Sequence, residues 1–128
     1  MTRATRGQVL LLTARPAAHG KLVRALRGLG ARVSVPHAAP QTLRLIARRP
    51  TLVLVDLANG AGLTPEIVDL LNRRRDPILV LALHDGSFGL RERAVAGLSV
   101  AGFCPAHDSQ PIVNVVAGLR AGGAVAVH

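Results

Sequence analysis

Continuous apolar runs alternating with segments of helical period constrain this chain more than any other feature of its sequence. The runs are Val9-Leu10-Leu11-Leu12, Val33-Ser34-Val35, Leu52-Val53-Leu54-Val55 and Ile78-Leu79-Val80-Leu81, with a shorter one at Phe103-Cys104. A strand with one wet face alternates apolar and polar residues, whereas unbroken apolarity marks burial on both faces. In the first intervening segment Leu22, Val23, Leu26 and Leu29 recur at i, i+1, i+4 and i+7, and Gly30 stands where a helix C-cap belongs. A second helix is expected to open near Pro40, turn Leu43, Ile46 and Ala47 inward and stop at Pro50. A third begins at Thr64-Pro65-Glu66, which supplies an N-cap, a first-turn proline and a carboxylate at the positive helix end, and it buries Ile67, Val68, Leu70 and Leu71. A fourth is expected over 90–98 with Ala94 and Val95 inward, and a fifth starts at Asp108-Ser109 and repeats Ile112, Val115, Val116 and Leu119.

Five successive strand–helix units imply a parallel sheet whose right-handed crossovers cover both faces. The expected fold class is α/β, a doubly wound five-stranded parallel sheet, and strand order 2-1-3-4-5 suits five units. Its crevice lies at the carboxyl ends of strands 1 and 3, so reactive groups are expected at 13–16, 56–60, 82–85 and at Ala106. The 128 residues allow one core, expected over 7–120, with 121–128 as a tail or exit linker.

Composition removes several functional classes. Aromatic residues make up 2% of the chain, two Phe with no Trp or Tyr, which argues against a reader of single-stranded nucleic acid that stacks bases on aromatic rings. No apolar run reaches the ~18 residues of a membrane span, and residues 1–8 are too short and polar for a signal peptide. Cys104 is the one cysteine, so structural disulfides are excluded and a reducing, cytoplasmic setting is expected. The formal charge is +9, and every cation except Lys21 is Arg. Such a charge draws polyanions. Because the cations are spread over several segments of an Arg-, Ala- and Gly-rich chain, the expectation is that the charge is compositional.

Four segments in order resemble a known family. Val9-Leu10-Leu11-Leu12-Thr13-Ala14-Arg15-Pro16 looks like the first strand and loop of a response-regulator receiver domain, and Leu52-Val53-Leu54-Val55-Asp56-Leu57 looks like the strand that bears its phospho-acceptor aspartate. Pro77-Ile78-Leu79-Val80-Leu81-Ala82-Leu83-His84-Asp85 and Val100-Ala101-Gly102-Phe103-Cys104-Pro105-Ala106 follow as the fourth and fifth strands. The resemblance spans essentially the whole chain and implies a flavodoxin-like, receiver-like fold.

In the family two acidic residues after strand 1 hold Mg²⁺, and an aspartate after strand 3 takes the phosphoryl group. A Thr or Ser after strand 4 and a Lys after strand 5 bind the phosphoryl oxygens. Here the acidic pair falls on Thr13 and Ala14, the hydroxyl position on Ala82 and the lysine position on Ala106. Asp56 alone remains, and phosphoryl transfer depends on positioning and charge neutralisation that one carboxylate does not supply. Leu83, where the family usually has a small residue, would wall the acceptor off. Arg15 is the expected partner of Asp56, its guanidinium standing where the metal's charge stood.

Other chemical candidates are weaker. Asn59-Gly60-Ala61-Gly62 lacks the lysine and Ser/Thr of a phosphate loop and reads as a turn. His19, His37, His84, His107 and His128 lack metal-ligand spacing and read as surface residues, although His84, Asp85 and Asp56 converge in the expected crevice. Ser87, His84 and Asp85 are too close in sequence for a triad. His19 falls near the histidine of cobalamin-binding domains of this architecture, but their acid-x-His-x-x-Gly signature is missing. Cys104 reads as a small core residue.

The resemblance therefore implies the pseudo-receiver of a transcriptional response regulator: no enzyme, no cofactor and no bound metal, a homodimer that signals by binding a small-molecule or protein ligand without phosphorylation. The alternative is a receiver still phosphorylated at Asp56 by a histidine kinase or a small phosphodonor. The segment from Asp108 to Val125 resembles the last helix and exit linker of regulators that continue into a helix-turn-helix domain, so DNA contact is expected only through such an output domain, absent from these residues. Membrane contact is not expected.

Overall fold

The computed structural model describes residues 8–56, 64–73, 78–84, 100–106 and 108–120. The predicted helix over 90–98, the glycine-rich turn at 59–62, Asp85, Ser87, His107 and the tail 121–128 lie outside them. The elements are β1 (Gln8–Leu12), a 3₁₀ turn (Pro16–His19), α1 (Gly20–Gly28), β2 (Arg32–Ser34), α2 (Ala39–Ala47), β3 (Leu52–Asp56), α3 (Pro65–Arg73), β4 (Leu79–His84), β5 (Gly102–Pro105) and α4 (Gln110–Arg120).

The five strands form one sheet in the order β2-β1-β3-β4-β5, and every neighbouring pair is parallel. This is the doubly wound order expected from the sequence. The period of two along each strand divides the apolar side chains between two layers. On one face Val9, Leu11, Leu52, Leu54, Leu81, Leu83 and Cys104 pack against Leu22 and Leu26 of α1 and Ile112 and Val116 of α4. On the other, Leu10, Leu12, Val53, Val55, Val80 and Ala82 pack against Ile46 of α2 and Ile67 and Leu71 of α3. Both faces are dry, which is why the strands lack polar alternation.

Helix ends follow local chemistry. The α1 terminus closes as a Schellman motif: Gly30 N–H donates to Arg27 O at 2.9 Å and Ala31 N–H to Leu26 O at 3.2 Å, with Gly30 at φ 89°. Thr64 caps α3, its Oγ1 accepting the Ile67 N–H at 3.2 Å. Asp108 Oδ1 accepts the Gln110 N–H at 3.0 Å at the start of α4.

Three details differ from the sequence reading. Ala47 is exposed, and Thr42 takes the inward place one turn earlier, its hydroxyl satisfied by the Ala38 carbonyl at 3.2 Å. The α2 helix ends before Pro50, where Arg49 adopts φ 59°. Strand β4 continues three residues past Leu81 to His84, because Asp56 and Leu83 still pair in register.

Candidate functional site

The carboxyl ends of β1 and β3 lie side by side, since Leu12 pairs with Val55. The next residues, Thr13 and Asp56, therefore meet at the mouth of the sheet. Asp56 shares its side-chain parity with Leu52 and Leu54 and so faces the layer covered by α1. It is 1% exposed. A carboxylate so far from water requires donors around it.

Thr13 supplies the first, its hydroxyl donating to Asp56 Oδ2 at 2.7 Å. The same oxygen of Thr13 accepts the Arg15 N–H at 2.9 Å, a local turn that aims the hydroxyl proton at the carboxylate. His19 supplies the second, with Nε2 at 2.8 Å from Asp56 Oδ2 and the residue itself 3% exposed. Toward an ionised carboxylate that nitrogen carries a proton. Arg15 adds charge from further out: its Nη2 stands 3.8 Å from the same oxygen, on a side chain 48% exposed.

The expected Arg15–Asp56 pair thus exists as an outer, half-solvated contact, and the inner partners are Thr13 and His19. The assignment of His19 to the surface is wrong, and the reason is geometric. His19 stands three residues before Leu22 and seven before Leu26, so it extends the buried stripe of α1 by one turn. Pro16 opens the 3₁₀ turn, closed by the Ala18 N–H to Arg15 O bond at 3.0 Å, that carries the imidazole over the end of β3. That stripe was the signal for His19 in the sequence.

The other pocket positions lie around this cluster. Ala14 is exposed, and Ala82 is buried on the opposite face of the sheet, against α2 and α3. Leu83 is the strand neighbour of Asp56 and is fully buried. Ala106 is half-buried just past β5, where its N–H donates to His84 O at 2.8 Å. Leu83 in turn pairs with Cys104, whose thiol is pushed up by burial above its ordinary pKa of 9.0. A cleft of about 200 Å³ opens beside His19, between Lys21 of α1 and Ser109 at the start of α4. Another of about 250 Å³ separates Thr13 and Ala14 from Pro36 and Thr42.

No family model matches the chain, and no curated protein matches it in sequence. Solved structures do match. A response regulator receiver protein from Burkholderia phymatum superposes with a TM-score of 0.63 at 18% identity, over 93% of this chain and 98% of that one. The chain has the receiver fold. An orphan response regulator of H. pylori gives a TM-score of 0.61 at 20% identity over 90% and 94% of the two chains. The receiver domain of a sensor histidine kinase from Pseudomonas aeruginosa, with a magnesium ion coordinated in its active-site cleft, gives 0.64 at 19% over 84% and 94%.

The equivalent place in this receiver fold does not suit Mg²⁺. A hard divalent cation wants several carboxylate or carbonyl oxygens. The two positions after β1 here offer a methyl group and a hydroxyl already donating to Asp56, and an imidazole at 2.8 Å and, further out, a guanidinium at 3.8 Å also face the carboxylate. The guanidinium charge repels a cation, and an imidazole nitrogen whose N–H points at the carboxylate has no lone pair to offer one.

Proposed function

We propose that this chain is a pseudo-receiver: a signalling domain that keeps the receiver fold, has exchanged phosphotransfer for a permanently closed Asp56 cluster, and works by binding. The single observation behind this reading is the burial of Asp56 at 1% exposure under Thr13 and His19. An acceptor carboxylate must offer an oxygen to a phosphodonor in line with the leaving group, with a metal and fixed cations to neutralise the developing charge. The cluster instead places Thr13 and His19 on Oδ2, and alanines stand at 82 and 106 where the family resemblance puts the phosphoryl-binding hydroxyl and lysine. In this reading a small ligand or a protein partner takes over the role of the phosphoryl group, and the signal passes to a second copy or to an output domain. Among the described residues no helix is long and apolar enough to cross a membrane.

The test is a titration of isotope-labelled protein with Mg²⁺, then with beryllofluoride, while acetyl phosphate is assayed by intact mass. Unmoved amide resonances at 56 and 13, and an unchanged mass, are the expected result. A saturable shift at these amides with a submillimolar dissociation constant, or a covalent phosphoryl adduct at Asp56, would replace this reading with that of a phospho-accepting receiver.

A further inference from the structure

Cations and carboxylates are not distributed alike along the chain. No Asp or Glu precedes Asp56, whereas ten of the 16 Lys and Arg residues do. The remaining six cations share their stretch with all seven carboxylates. A coding bias toward arginine raises arginine throughout and does not by itself empty one stretch of every acid.

The fold gathers five of these ten cations at one end. In a parallel sheet each helix runs back against the strands, so helix ends and strand starts meet at the same edge. Gln8 pairs with Arg32 and Val9 with Leu52, which sets the starts of β2, β1 and β3 side by side. The ends of α1 and α2 lead directly into β2 and β3. Arg27, Arg32, Arg48 and Arg49 therefore come to that edge, with Arg44 one turn further up α2, and all five are exposed, whereas the guanidinium of Arg24 lies beside Gly20 at the other end of α1. Arg27 Nη2 donates to Val33 O at 3.3 Å, laying the guanidinium against β2, the edge strand.

Helix dipoles favour cations at helix C-termini, which accounts for Arg27 and Arg48. They account for neither Arg32 on the edge strand nor Arg44 further up α2. By contrast, Arg73 at the end of α3 is offset by Asp69 one turn earlier at 2.9 Å.

We propose that this β2 end of the domain binds the sugar–phosphate backbone of duplex nucleic acid without reading its sequence. An array of like charges on three successive elements suits a polyanion, and the planar guanidinium fork matches phosphate oxygens in pairs. Single strands are held by stacking on aromatic rings, and Phe103, exposed at 39%, lies on β5 at the opposite edge of the sheet. A membrane surface is gripped by apolar side chains beside the cations. Among the described residues Phe103 is the one exposed large hydrophobic, and it is again at the wrong edge. A duplex backbone needs neither feature.

The experiment measures fluorescence anisotropy of a labelled duplex of arbitrary sequence against the chain over a salt series. Two charge-matched variants are compared with the parent: Arg32→Glu/Arg44→Glu/Arg48→Glu at the proposed surface, and Lys21→Glu/Arg24→Glu/Arg73→Glu away from it. The parent is expected to bind at low salt with no preference between two unrelated duplexes. The surface variant is expected to lose at least roughly tenfold in affinity and to lower the slope of log K against log salt by about 3, since each phosphate contact contributes ~0.9. The control variant is expected to lose no more than about threefold. Equal losses in the two variants, no binding by the parent at low salt, or tighter binding to polyglutamate or to anionic vesicles than to the duplex would overturn the proposal. If thermal melts show the surface variant unfolded, Arg44→Glu and Arg48→Glu singly carry the same test, each with an expected loss of about threefold.

Discussion

The imidazole of His19 and the carboxylate of Asp56 meet 2.8 Å apart, each on the inward face of its own element and each shielded from solvent. The contact joins the first turn before α1 to the end of β3, and so fastens a helix to the sheet at the point where a receiver fold would open to a phosphodonor.

Removing the imidazole leaves a buried carboxylate short of a nitrogen partner at 2.8 Å. His19→Ala is expected to cost about 3 kcal/mol, in the range for breaking a buried charged contact. Asp56→Asn in the same background should recover part of that loss, because the stranded charge is gone. A double-mutant cycle by urea unfolding should give a coupling of roughly 1–3 kcal/mol. A coupling of zero would mean that the close approach contributes nothing to the fold.

Arg15 should behave differently. Its side chain is half in water and its nitrogen stands 3.8 Å from the oxygen, so solvent screens most of the attraction. Arg15→Ala is expected to cost under ~1 kcal/mol. A loss as large as that of His19→Ala would show that the guanidinium, and not the imidazole, closes the cluster.

The layers of the fold were legible in the sequence because burial on both faces writes itself into consecutive residues. Leu52 to Val55 can only be a central strand, and the Schellman glycine at 30 and the threonine cap at 64 mark their helices from residue type alone. The site was half legible. Asp56, Thr13 and Arg15 were found because they occupy strand ends, where the topology requires chemistry to gather. His19 was missed because Pro16-Ala17-Ala18 carries no apolar periodicity, which hides the fact that the histidine continues the stripe of Leu22 and Leu26. The order of partners around Asp56 was not legible, since it depends on how far each side chain reaches: the short hydroxyl and the packed ring approach closely, and the long guanidinium stays in water.

Gly30 tests the helix end. Its φ of 89° lies in the left-handed region, where a Cβ crowds the following carbonyl. Gly30→Ala is expected to destabilise the domain by about 1 kcal/mol, measured by thermal or chemical melting, with the native spectrum retained. An unchanged midpoint would show that the turn relaxes into another conformation.

Cys104 supplies a pH dependence whose sign follows from burial. Its thiol is raised above 9.0 in the folded protein because the low-dielectric surroundings disfavour the thiolate. Below that pH both states hold the proton and the thiol adds no pH dependence. Above it the unfolded chain releases the proton first, so the folded state binds more protons and stability falls as pH rises through the folded value. Replacing Cys104 with Ala should therefore remove one component of the decline in unfolding free energy above about pH 9. The same burial predicts that a thiol-specific alkylating reagent at neutral pH reacts with the folded protein far more slowly than with the urea-unfolded chain. Equal rates in the two states would mean that the end of β5 opens freely, and that Leu83 and Cys104 do not form a closed layer beside Asp56.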